Sequence, residues 1–156
     1  FLTDVHWGDL DFLLIDMPPG TGDVAISLGQ LLPTAQTIVV TTPQVAAAEV
    51  AERSGSVGVQ TGQSVFGVIE NMSWLQQGSE RIELFGAGGG QAVADRLNAP
   101  LLGQIPLSIP MREGDKGQPV VEVNPSDSAA LALGALAEKI AATKTPLAGR
   151  RLKLSL

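Results

Sequence analysis

The chain has 156 residues, room for one ordinary domain, and with 44% hydrophobic and 17% charged residues it can bury a core. Its net charge of −6 and 4% aromatic content exclude a basic, base-stacking nucleic-acid surface. It has no cysteine, which removes disulfides, thiolate catalysis, and ligation of zinc or an iron–sulfur cluster by its own sulfur.

No apolar run approaches the roughly 20 residues of a membrane helix, and no basic leader opens the chain. A cytoplasmic protein without membrane attachment is expected. The start at Phe1 rather than Met points to an N-terminal portion upstream.

Phe12-Leu-Leu-Ile15 is apolar on both faces and ends in Asp16 and Pro18-Pro-Gly-Thr-Gly22, which predicts a buried parallel strand. Asp23 is placed to cap a helix through Leu32, with Val24, Ala25, Leu28, Leu31 and Leu32 as its apolar stripe. Thr37-Ile-Val-Val-Thr41 reads as a second strand, and Val45 to about Arg53 as an Ala-rich helix whose continuation to Val59 would pass Gly55 and Gly58. Val65 to Ile69 is a third strand, and the alternation in Arg81-Ile-Glu-Leu-Phe85 suits a half-exposed strand of a small hairpin. A helix over Gln91–Leu97, a fourth strand over Leu101–Ile105 closed by Pro106, a helical turn over Ser108–Glu113, and a final helix from Ser126 or Asp127 to about Ala142 complete the series. Strands alternating with helices predict a parallel α/β sheet with right-handed crossovers. The domain is expected over residues 1–142, with 143–156, which carry Arg150, Arg151 and Lys153, as a loose tail.

In an open α/β sheet, ligands sit outside the carboxyl ends of the strands. Here those ends are Asp16–Asp23, Thr41–Gln44, Glu70–Ser73 and Pro106–Ser108, all polar or rich in Gly and Pro. Asp16, after a buried strand, is either a nucleotide-site acid that holds Mg²⁺ through water or an aspartate that closes its loop. Gly20 and Gly22 permit a tight turn whose N–H groups can meet a terminal phosphate. The phosphate cradle itself is missing, because no G-x-x-x-x-G-K-[ST] occurs and no lysine follows an early Gly-rich loop. Gly86–Gly90 reads as a turn and helix entry, His6 as a surface or packing residue, and Trp7 and Trp74 as packing anchors.

The run from Trp7 to Asp23 (WGDLDFLLIDMPPGTGD) resembles the signature of the Mrp/ApbC family of iron–sulfur cluster carrier ATPases, of the deviant P-loop class that includes MinD and ParA. The similarity continues in order through Val39–Gln44, Gly67–Ser73, Phe85–Gly90, Leu102–Leu107 and Arg112–Pro119. It implies a parallel-sheet P-loop NTPase-like fold of the deviant Walker A class, of which this chain is the C-terminal portion without the phosphate-loop strand. That strand lies, in this class, between the Asp16 strand and the Thr37–Thr41 strand, so a gap or an exposed sheet edge is expected. The resemblance makes Asp16 the acid that orders the Mg²⁺ water shell and puts Gly20 and Thr21 in the segment that senses the γ-phosphate. It gives Asn71 a hydrogen bond to adenine and sets Pro106 against the adenine face.

The resemblance further implies ATP and Mg²⁺ as cofactors, a homodimer, and apo iron–sulfur proteins as clients. One departure matters: relatives carry Cys-x-x-Cys just after the Asn-Met-Ser segment, whereas Trp74–Leu84 holds no cysteine. The leading expectation is a Mg-ATP-dependent cluster carrier ATPase, of which this portion alone is inactive. The alternative is a MinD/ParA-like dimerisation switch that binds no cluster, and a third reading is a non-enzymatic partner module.

Overall fold

Val, Ile and Thr suit a pleated, half-buried surface, and they fill the strand β1, Gln36–Thr41. In the computed structural model, which describes residues 4–18, 20–113 and 117–143, β1 runs parallel to β2, Ser64–Gln77. On its opposite edge β2 pairs in parallel with β4, Leu101–Leu107. Its far end turns back at Gly78, φ +61°, to pair antiparallel with β3, Glu80–Ile82. The hairpin was predicted, but it makes the sheet mixed, and its second strand is shorter than Arg81–Phe85.

Helix α2, Val45–Gln60, and helix α3, Gly89–Arg96, cover one face of the sheet. Val39, Ala48, Ala51, Val68, Val93 and Ala94 form the core between them. Helix α6, Ser128–Ala141, covers the other face, where Leu102, Ile105, Ala129 and Leu136 are buried with Ile38, Phe66 and Ile69 packed against them. The result is a three-layer α/β architecture with crossovers of short loop and helix. Helix α6 starts where expected: the Asp127 carboxylate caps it by accepting from the N–H groups of Ala129 and Ala130. The Arg96 guanidinium on α3 meets Glu52 on α2 at 2.7 Å. That hydrogen bond, reinforced by the charge attraction, raises Arg96 above its ordinary range.

Helix α2 continues past Gly55 and Gly58, and there the glycines serve packing. A Cβ at Gly55 would lie 2.6 Å from Leu97 and 3.0 Å from Val39, so its absence lets the helix settle on β1 and α3. The same holds at the start of α3, which begins two residues before the predicted Gln91. A Cβ at Gly89 would stand 2.5 Å from the Pro43 carbonyl oxygen, and one at Gly90 2.6 Å from the Glu70 Cβ. β4 runs on through Pro106 instead of closing there, as proline is tolerated in an edge strand. Two short helices, α4 (Ile109–Glu113) and α5 (Val120–Val123), connect β4 to α6; α4 matches the expected turn and α5 was not foreseen.

The N-terminal quarter departs most from expectation. Phe12–Ile15 forms no strand, and Leu14 is 77% exposed. The physical reason is a missing neighbour: a strand exists only through inter-strand hydrogen bonds, and β1 pairs with β2 alone among the described residues. Phe12, Leu13 and Leu14 instead border a 320 Å³ cavity shared with Gln36, Ile38, Phe66 and Ile140. Helix α1, Asp23–Leu31, starts at Asp23 rather than after it. Gly22 holds the cap position, and the Asp23 carboxylate makes no capping bond. The expected stripe is only partly covered, with Val24 and Leu31 exposed and Leu28 half-buried. Trp7 is 41% exposed and is no packing anchor. Residues 144–156 of the expected tail, with Arg150, Arg151 and Lys153, lie outside the described residues.

Two outcomes follow from this packing. Gly89→Ala is expected to lower stability by about 2 kcal/mol, because backbone must move to admit the methyl group. Gly134→Ala, in open space inside α6, is expected to raise it by about 0.5–1 kcal/mol; urea midpoints compare the two. The bare β1 edge predicts that residues 1–156 alone self-associate at micromolar concentration, which a single monomeric species in sedimentation would contradict.

Candidate functional site

The carboxyl ends of β1, β2 and β4 converge on one rim, and there the β2 backbone makes a jog. Met72 takes φ +57°, unusual for a side chain of its size. The conformation is held from both sides: the Ser73 hydroxyl donates to the Glu70 carbonyl at 3.0 Å, and the Met72 N–H donates to Asn71 Oδ1 at 2.8 Å. The second bond fixes the Asn71 amide, leaving its Nδ2 as a donor without a protein partner among the described residues.

Asn71 lines a pocket of about 450 Å³ with Met72, Leu75, Pro106, Leu107, Ile109, Met111 and Arg112. That volume falls in the range of small-molecule sites, which combine apolar walls with few polar groups. Pro106 borders the pocket and is itself fully buried. The pocket offers apolar surface from Met72 and Leu75 beside the amide of Asn71.

Directly behind the pocket sits Glu70, at 1% exposure the most buried charged residue of the described chain. Its Oε2 accepts from the Gly90 N–H at 2.6 Å, and its Oε1 from Gln104 Nε2 at 2.7 Å. Both oxygens are engaged by donors, the condition under which a buried carboxylate is tolerated. At the neighbouring exit of β1, the Thr42 hydroxyl is buried and has no hydrogen-bond partner among the described residues.

The predicted site residues separate into two sets. Asn71 and Pro106 share one pocket. Asp16 and Thr21 are exposed, and Gly20 is half-buried at φ +98°, in the segment that forms no strand. None of the three lines that pocket. Among the described residues no group of three or more His, Cys, Asp or Glu side chains converges as a metal site. Asp16 is a single exposed carboxylate, so the described residues alone do not fit a bound Mg²⁺ ion. Sequence reasoning missed Glu70, Met111 and Arg112. For Glu70 a signal existed: an acid embedded in Val68-Ile-Glu-Asn71 at the buried end of a strand must have partners.

The ParA family model, NUBPL iron-transfer P-loop NTPase, matches residues 1–141. The iron–sulfur cluster carrier protein of Mycobacterium leprae is 57% identical over 136 residues, covering 82% of this chain and 35% of that protein. The iron–sulfur cluster transfer protein NUBPL of Mus musculus is 37% identical, covering 99% of this chain and 47% of its own length. The chain thus spans less than half the length of either relative. Among solved structures, a nucleotide-binding protein of Archaeoglobus fulgidus in complex with ADP aligns with a TM-score of 0.61 at 32% identity, over 79% of this chain and 54% of that one. The cell division ATPase MinD of Pyrococcus furiosus aligns with a TM-score of 0.56 at 27% identity, over 68% of this chain and 42% of that one. The α/β layers and the polar carboxyl rim are therefore those of a MinD-like P-loop NTPase fold, and the chain belongs to the ParA/NUBPL family of iron-transfer P-loop NTPases.

Proposed function

We propose that this chain forms the base-binding half of the nucleotide site in a Mg-ATP-dependent iron–sulfur cluster carrier. The observation that carries this reading is the pocket that joins Asn71 to Pro106 at the carboxyl rim of the sheet. Two relatives are named for cluster carriage or transfer, and a similar structure holds ADP. In this reading Asn71 donates to the adenine edge from an amide held by Met72, while Pro106 and Met72 pack on the ring. Asp16, Gly20 and Thr21 belong to the phosphate side, where their segment gains a strand neighbour from the full-length protein. The described residues hold no cluster of direct Mg²⁺ ligands, so Asp16 would act through the ion's water shell, with the phosphates and groups outside this chain as direct ligands. Catalysis needs the phosphate cradle as its main electrostatic stabiliser, and residues 1–156 alone are therefore inactive. The full-length protein acts in the cytoplasm as a homodimer that delivers clusters to apo-proteins.

One observation favours a second reading. The hairpin of β2 and β3 carries no cysteine, and in its place Arg81 stacks on Trp74, 4.2 Å from the ring centroid. A MinD/ParA-like dimerisation switch without a cluster needs no thiolate there. In the carrier reading, the cluster is held by ligands this chain does not supply. Anaerobic reconstitution of the full-length protein with ferrous iron and sulfide separates the two: stoichiometric iron with broad visible absorbance supports the carrier, and none supports the switch.

The nucleotide assignment has its own tests in the full-length protein. Asn71→Ala is expected to weaken ADP binding about tenfold through loss of one oriented hydrogen bond. Asp16→Asn is expected to cut ATP turnover by about a hundredfold while ADP affinity stays near wild type. Unchanged ADP affinity in the first variant, or unchanged turnover in the second, would remove that residue from the site.

A further inference from the structure

The bond from the Gly90 N–H to Glu70 spans 20 residues of sequence. Within that excursion lie Asn71, the hairpin of β2 and β3, and the return segment to α3. Glu70 therefore closes the neck of a loop with the base pocket at its root and the hairpin at its tip. The outgoing strand is continuous, for Leu75 both borders the pocket and pairs with Ile82 of β3. The returning chain is pinned where α3 starts, against Glu70 on one side and the carbonyls of Thr42 and Pro43 on the other. Through Gln104, two residues before Pro106, the same carboxylate also holds the β4 side of the pocket.

We propose that Glu70 is a positioning residue that sets Asn71 and its β4 neighbour Pro106 against the nucleotide base and couples occupancy of that pocket to the β2–β3 hairpin. The proposal rests on the reading of the pocket as the base site. A ligand that draws Asn71 and Pro106 together acts on β2 and β4, which Glu70 links to the α3 start, so the two feet of the hairpin move as one. Without the carboxylate the outgoing foot still feels the ligand and the returning foot does not.

The experiment uses the full-length protein with ADP as the probe, combining calorimetry with hydrogen exchange over residues 72–107. In the wild type, ADP is expected to slow exchange both beside Pro106 and in the hairpin. Glu70→Ala is expected to weaken ADP about tenfold and, at saturating ADP, to lose the ADP-dependent protection of the returning half of the hairpin while keeping that beside Pro106. Glu70→Gln retains an oxygen for Gly90, and its amide donates to Gln104 once that side chain turns over. Its ADP affinity should stay within about threefold of wild type, with hairpin protection restored. A purely structural Glu70 would instead lower protection equally with and without ADP, and that result overturns the proposal. If Glu70→Ala does not fold, Gln104→Leu, exposed on edge strand β4, carries the test with an expected loss of about threefold. Wild-type affinity and wild-type hairpin protection in that variant also overturn it. A wild type that binds no ADP removes the base-site reading and this proposal together. ADP binding that leaves hairpin exchange untouched removes this proposal alone.

Discussion

The structure depends on β2 being hydrogen-bonded along both edges. At Val68, Ile69 and Glu70 the strand has β1 on one side and β4 on the other. Such a strand has no edge to expose and must satisfy both faces with buried side chains. Val68 at 0% exposure meets this on the α3 side, and Ile69 packs against the α6 cluster. Where the apolar run ends, the next side chain on the α3 side is a carboxylate, and the fold surrounds it with two N–H donors. The pocket forms one residue further on, because there the ladder to β4 breaks register between Asn71 and Leu75. A regular ladder would have directed Asn71 as any strand residue; the jog turns it into the wall of a cavity.

The second constraint is the closeness with which helices approach this sheet. Gly55, Gly89 and Gly90 are all places where a methyl group would meet atoms at 2.5–2.6 Å. At α3 the close approach has a chemical result, since only a backbone this near can present the Gly90 N–H to Glu70. A carboxylate beside the first turn of α3 also lies at the positive end of the helix dipole. Packing and electrostatics therefore call for the same glycines. This explains why the Gly-rich run that enters α3 lies directly against Pro43 and Glu70.

The parallel strands, the long helices and the hairpin were legible because their periodicity is carried by local residues. Asn71 and Pro106 were singled out through resemblance, and the structure sets both on one pocket. What failed was what depends on distant partners. Phe12–Ile15 has the composition of a buried strand, yet strand structure is a property of pairs, and its neighbour is not among the described residues. Gly86–Gly90 is the turn and helix entry it was read as, with Gly88 at the cap of α3, but the close approach of Gly89 to Pro43 and of Gly90 to Glu70 depends on residues distant in the chain. Proline was read as a strand stop at Pro106, which holds for a central strand and not for an edge.

The hairpin shows how shape and cargo chemistry separate. Its form comes from three cross-strand pairs, Leu75–Ile82, Gln76–Arg81 and Gln77–Glu80, and from the Arg81 cation over the Trp74 ring. A cation–π contact at a solvent-facing site contributes about 0.5–1 kcal/mol, enough to favour one arrangement of a short hairpin that water would otherwise loosen. None of these interactions needs a metal. A hairpin that owed its form to a bound cluster would fall open on losing its cysteines, whereas one built from backbone pairing and a stacked guanidinium keeps its place at the end of β2. Family membership and the absence of thiolates are thus compatible, because the hairpin that extends from the Asn71 pocket keeps its form without a metal.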